Sequence, residues 1–283
     1  MKKALWIADF STIHNSGGAQ RSDALIIEKS VENGFEVLPF NYDTNPVILQ
    51  NQYDVIISAN LETLGRLHPS LINYIASHPR HFRLEHDSNR YLHQEARKVL
   101  FGSCKGTFFL TNYHHDQFLS SYGDIFTNVE IIPDPIDTEV FFDKKLERSD
   151  SCIYTGFMHK LKGTQNFISH ALANPESSFK VAAWGSDVFE SAIKKLDNVE
   201  FYGNIPFLQM PDLYNSHRSM FYQPEFYVPF CRSVGEAILC GMEINANEKI
   251  GCLHYFNEVG IDQFREECAN APKNFWRVIN ESI

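Results

Sequence analysis

No stretch of this 283-residue chain approaches the ~20 apolar residues of a membrane span. Lys2 and Lys3 precede an apolar run from Ala4 to Ala8, but Asp9 ends it, far short of a secretory-signal core. Cysteine is sparse as well. The six at positions 104, 152, 231, 240, 252 and 268 form no C-x-x-C pair, which fits neither a zinc site nor a compact disulfide framework. They read as reduced thiols, and the expected location is cytoplasmic. Basic excess is missing: 25 Lys and Arg against 35 Asp and Glu give a net charge of −10, split as −5 on residues 1–137 and −5 on residues 138–283. An evenly acidic chain is a poor partner for polyanions, whose binding rests on neutralised phosphates. No repeat at solenoid spacing, low-complexity tract or heptad run occurs. A G-x-G-x-x-G followed by an acid ~20 residues later is also absent, which argues against a Rossmann dehydrogenase.

What is there is apolar patterning: 43% hydrophobic and 13% aromatic residues, ample for the core of one or two domains. Strand-like runs at 3–8, 36–40, 53–59, 81–85, 107–110 and 129–132 alternate with helical patterns at 20–33, 69–77, 91–100 and 114–122. In the first helix Ala24, Ile26, Ile27 and Val31 make the inner face, and Gly34 ends it. Such alternation predicts βαβ units and a parallel sheet. Two prolines in the stretch Pro133-Asp134-Pro135 stiffen the chain and mark a domain boundary. The alternation then restarts, with strands at 151–155, 180–184, 199–202, 219–222 and 243–246, and a helix from 163 to about 173. Final helices are expected over 262–270 and 272–283. The expected division is 1–137, 138–270, and a last helix at 271–283 whose Phe275 and Trp276 pack back on the first domain.

Several residues stand where chemistry could occur. After the strand at 219–222, a Pro-bounded loop leads into a short helix closed by Gly241; its start, from Cys231 to Ser233, presents backbone N–H groups suited to a phosphate. Glu236 sits among Val234, Ala237 and Ile238, where a carboxylate is costly unless paired, and Arg232 lies four residues before it. Gly17-Gly18 follows the first strand, and glycines let backbone approach an anion. Lys162-Gly163 opens a helix, where a lysine opposes the helix dipole. His86-Asp87 ends a strand, and either residue could equally be structural, Asp87 as a helix cap. His114-His115-Asp116 looks metal-like, but adjacent histidines on a helix diverge, so a surface position and no metal site are expected.

Val228-Pro229-Phe230-Cys231, Glu236-Ala237 and Gly241 resemble the donor-binding signature of the retaining GT-B glycosyltransferases of family 4. The Gly17-Gly18 loop, the segment 131–141 and Lys162-Gly163 resemble that family's remaining motifs in the same order. Two positions depart from it: Val228 stands where the family has glutamate, and Phe157 where it has arginine. The resemblance implies an α/β fold of two Rossmann-like domains with a cleft between them. It also implies transfer of a sugar from a nucleotide sugar, such as a UDP- or GDP-sugar, to a hydroxyl acceptor with retention of configuration, with no metal or other cofactor. The roles it implies are His86 beside the donor sugar, and Gly17 and Gly18 facing the sugar and diphosphate. Lys162 with Gly163, and the backbone from Phe230 through Cys231, Arg232 and Ser233, would hold the diphosphate. Arg232 or Lys160 would supply the second positive charge, Glu236 would hold the ribose, and Gly203-Asn204 would receive the base. The acceptor is expected to be a glycan or lipid-linked sugar. Five basic residues, Arg80, Arg83, Arg90, Arg97 and Lys98, keep a modified base in DNA as a minority alternative. A further alternative is a non-catalytic nucleotide-sugar-binding module.

Overall fold

A computed structural model describes residues 1–10, 17–59, 61, 69–88 and 94–283. Arg90, the segment 91–93 and the loop at 11–16 lie outside them. The chain forms two compact units, Met1–Pro135 with Glu266–Ile283, and Ile136–Arg265. In the first unit, β1 (Lys2–Ile7), β2 (Phe35–Phe40), β3 (Val55–Ala59), β4 (His81–Leu84), β5 (Gly106–Phe109) and β6 (Val129–Ile131) make one parallel sheet in the order β2-β1-β3-β4-β5-β6. Its helices are α1 (Gly18–Glu28), α2 (Pro69–Ala76), α3 (Gln94–Ser103) and α4 (Asn112–Tyr122). Every residue of β3 is buried, as expected of a parallel strand covered on both faces. Leu5, Ile7, Ile56, Leu71, Ile75 and Leu100 pack on one side of the sheet, while Phe101, Phe109, Phe118 and Tyr122 form a second cluster.

The second unit contains β7 (Ser149–Met158), α5 (Thr164–Ala173), β8 (Phe179–Gly185), α6 (Asp187–Ile193), β9 (Val199–Phe201), α7 (Met210–Ser216), β10 (His217–Tyr222), α8 (Arg232–Leu239) and β11 (Glu243–Ala246). Its sheet is parallel in the order β11-β10-β7-β8-β9. Tyr154, Met158, Phe167, Val181 and Phe221 fill its core. In each sheet the strand order reverses once, between β1 and β3 and between β7 and β10. Ligands of open α/β sheets bind at the carboxyl ends of the strands at such a reversal. Gly17-Gly18 lies on the connection that leaves β1, and Lys162 and the 223–231 loop leave β7 and β10.

The last helix, α9 (Gly251–Ser282), departs from the expected break between 270 and 272: it runs through Pro272, and its one non-helical residue is Gly260, at φ 78° and ψ 171°. Proline inside a helix removes a hydrogen bond. Here Cys268, Ala271, Phe275 and Ile279, spaced as one helix face, are fully buried and hold the chain helical. Phe275 lies against Phe108 with centroids 4.6 Å apart, and Trp276 stacks on Phe35 at 4.7 Å and donates its indole N–H to the Ile26 carbonyl. Two other expectations need correction. Val31 is 61% exposed, because α1 ends at Glu28 and a tight 3-10 turn, Val31–Asn33, swings it outward; the buried face is Ser22, Asp23 and Ile26. His114 is buried rather than on the surface, with Nδ1 accepting from the Leu110 N–H and Nε2 against the Asp87 carbonyl, and burial lowers its pKa to about 3. Among the described residues no helix is long and apolar enough to cross a membrane, and no group of three or more His, Cys, Asp or Glu side chains is arranged to hold a metal ion. All six cysteines are free.

Candidate functional site

In the first unit, His86 lies two residues past β4, at its carboxyl end. Its Nε2 lies 2.7 Å from Asp23 Oδ1 of α1, and its Nδ1 3.6 Å from Asp134 Oδ1. The other oxygen of Asp23 accepts from the Trp6 indole N–H on β1. All three members of this Asp-His-Asp group are buried. Burial by itself pushes the imidazole pKa down, but the two carboxylates, Asp23 foremost, outweigh it and raise the pKa to about 10. His86 is therefore a cation at neutral pH, with both ring nitrogens as donors. An imidazolium cannot serve as a general base; it can fix charge and hold neighbouring elements. Neither Asp23 nor Asp134 stood out in the sequence. The available signal was a carboxylate in the apolar pattern of α1, and an aspartate between two prolines.

Beside it, Arg83 Nη2 donates to Glu85 Oε2 at 2.8 Å, Arg97 approaches Glu85 Oε1 at 3.8 Å, and the two guanidinium groups lie over Phe101 and Phe118. Arg83, Glu85 and Arg97 are all buried. They brace the exit of β4, and they remove two members of the expected basic surface patch. Of its five residues, Arg80 and Lys98 are the exposed ones among those described. Gly17 and Gly18 are exposed at the start of α1, with Gly17 as its N-cap in extended conformation.

In the second unit, the loops that leave β7 and β10 meet. Lys162 ends a 3-10 turn, Lys160–Lys162, and its Nζ sits 5.7 Å from the centre of the Phe226 ring. Gly163 follows in the left-handed region at φ +83°, and a Cβ on it would run into the Gln223 carbonyl. That buried glycine thus serves the crossing of the two loops. Thr164 Oγ1 ties the same turn together, receiving the His159 N–H at 2.9 Å and the Tyr154 hydroxyl at 2.9 Å.

Helix α8 begins behind Cys231, a non-glycine residue at φ 76°, where L side chains cost roughly 1–2 kcal/mol. Its first turn offers N–H groups that a helix cannot pair internally. Ser233, half-buried, places its Oγ 3.5 Å from Cys231 Sγ. The buried Glu236 finds its partner in Arg232, at 3.4 Å on the same helix. Arg232 is thus engaged with that carboxylate. Phe230 is core: the residue is 1% exposed and its ring stacks on Phe264. Val228 is buried, and its backbone bridges to Ile250. Gly203, at φ +75°, and the exposed Asn204 form the turn beyond β9.

No protein-family model matches the chain, and no curated protein does. Solved structures do, over nearly the full length. Sucrose-phosphate synthase from Thermosynechococcus elongatus aligns with TM-score 0.72 at 13% identity, covering 100% of this chain and 91% of that one. WaaG, a glycosyltransferase involved in lipopolysaccharide biosynthesis, aligns with TM-score 0.63 at 16% identity, covering 99% and 93%. Anabaena HepE in complex with UDP and glucose aligns with TM-score 0.60 at 14% identity, covering 99% and 98%. At such identities the likeness establishes the fold alone, the expected pair of Rossmann-like α/β domains.

Proposed function

We propose that this protein is a glycosyltransferase that takes a sugar from a nucleotide-sugar donor, with family 4-like retention of configuration. The observation that carries the reading is the match over nearly the whole chain to solved structures that include the glycosyltransferases AviGT4 and WaaG and the UDP- and glucose-bound HepE. In the reaction negative charge builds on the leaving diphosphate. The first-turn N–H groups of α8 and the ammonium of Lys162 would stabilise it there. Glu236, held by Arg232, would accept from the donor ribose hydroxyls. His86 would contribute a fixed positive charge. The donor is a substrate, and no separate cofactor or metal enters the reading. The acceptor class favoured is a glycan or lipid-linked sugar, and a cytoplasmic setting suits a nucleotide-sugar donor.

Thermal unfolding against uridine, guanosine, adenosine and cytidine diphosphates and their sugars tests this. A ligand at ~100 times its Kd should stabilise the fold by roughly 2.7 kcal/mol. Lys162→Ala and Glu236→Ala should reduce both that shift and turnover; variants that leave both unchanged would remove the site assignment. A second reading, a binding module without turnover, is favoured by Val228, whose apolar, buried side chain stands where the resemblance expects a carboxylate. Donor that binds but is neither transferred nor hydrolysed would select it.

A further inference from the structure

Phe157 on β7 and Trp184 on β8 are register partners, so their side chains stand together on one face at the carboxyl end of the sheet. Both are open to solvent, at 47% and 44%, with ring centroids 6.1 Å apart at an interplanar angle of 60°. The exposed His159 ring continues the edge, nearly parallel to Phe157 at 14° and 6.2 Å away. Immediately after Trp184 the chain turns at Gly185, at φ +133°, so tightly that a Cβ there would come within 2.9 Å of the Phe157 ring. Elsewhere in this unit Tyr154, Phe167, Phe179 and Phe221 are buried, and Phe142 and Tyr202 are exposed at 40% and 37%. A contiguous open aromatic edge is the exception, and such patches mark binding surfaces.

Position says what it could bind. Lys162 and the start of α8 leave β7 and β10 on either side of the strand-order reversal, while β8 is the next strand beyond β7, about 4.8 Å further along the edge. A diphosphate anchored at the reversal therefore has the aromatic edge beside it. Phe157 also stands where the resemblance expects an arginine. A ring there neutralises no phosphate charge but offers a flat π-face, and the flat part of a nucleotide sugar is its base.

We propose that Phe157 and Trp184, flanked by His159, form a stacking shelf for the nucleobase of the donor, an inference that rests on the nucleotide-sugar reading above. Every base has a π-face, so the shelf supplies affinity while base choice is left to polar groups such as those of the Gly203-Asn204 turn.

The chain reports on this directly. Of its three tryptophans, Trp6 and Trp276 are buried at 1% and 0%, so Trp184 is the one that a ligand can reach. Uridine, guanosine, adenosine and cytidine diphosphates, with inorganic pyrophosphate as the base-free probe, would be titrated into wild type, Trp184→Leu and Phe157→Leu. Tryptophan fluorescence and calorimetry would both be followed. The expected result is that the bound nucleotide quenches fluorescence and pyrophosphate does not. Both variants should then bind the nucleotide roughly 5- to 100-fold more weakly and pyrophosphate as wild type does. If a nucleotide binds all three forms equally, without quenching, the shelf is wrong while the donor reading stands. Equal weakening of nucleotide and pyrophosphate also overturns it, since the loss would then be structural. If no nucleotide binds wild type, the donor reading fails and the shelf with it.

Discussion

At the residue scale, the buried Asp23-His86-Asp134 group makes the sharpest demand. Its histidine has a folded-state pKa of about 10 against an ordinary value of 6.5. The stabilisation it brings is complete below about pH 6.5 and fades as pH rises from there through about 10. Asp23→Asn breaks the closer of the two pairs and should cost about 3–5 kcal/mol at pH 7. It should also flatten the fall of stability between pH 7 and 10. Urea midpoints at several pH values measure both; an unchanged alkaline slope would mean that His86 is neutral in the fold. His114 has the opposite sign. Its pKa is lowered to about 3 by burial, so it costs stability as pH falls below about 6.5, when the unfolded chain takes up a proton that the fold refuses. Both behaviours depend on what surrounds each ring, which no local stretch of sequence displays. His86-Asp87 and His114-His115-Asp116 look alike on the page, yet one histidine is a buried cation and the other a buried neutral ring.

At the element scale, the second unit depends on two loops crossing where β7 and β10 end. Gly163 permits the crossing twice over, by its left-handed φ and by lacking a Cβ that would meet the Gln223 carbonyl. Gly163→Ala should therefore destabilise by about 2–4 kcal/mol, strain at positive φ adding to backbone displacement. It should also weaken nucleotide binding, since Lys162 precedes it. Calorimetric unfolding of the variant checks the first, and a stability within 0.5 kcal/mol of wild type, the range of an ordinary surface change, would rule the crossing out as a constraint. The elements themselves were readable, because period-2 and period-3.6 patterns report on burial. Pro272 misled for a physical reason: a local rule about a missing N–H was outweighed by a buried face that continues through it. Gly260, with backbone angles that only glycine adopts readily, is where α9 breaks.

At the scale of the whole molecule, charge limits the partners. The net −10 is evenly spread, and the two arginines that had argued for a basic patch, Arg83 and Arg97, are buried against Glu85 and aromatic rings. The protein is accordingly expected to show no binding to duplex DNA in a mobility-shift assay at low salt. Tight, salt-sensitive binding there would revive a DNA acceptor.

Sequence by itself determined the α/β class, the parallel alternation, the restart of the pattern after Pro133-Asp134-Pro135, and the order of motifs that resembles the GT-B glycosyltransferases. It could do so because strand and helix periods and turn residues are local properties of the chain. Tertiary structure alone decided that Asp23 and Asp134 flank His86, that Arg83 and Arg97 are core, that Phe230 faces inward, and that Phe157 and Trp184 lie side by side in the open. Apart from the Arg83–Glu85 pair, each of these is a contact or burial between residues far apart in the chain. Strand order and register, rather than sequence neighbours, create them.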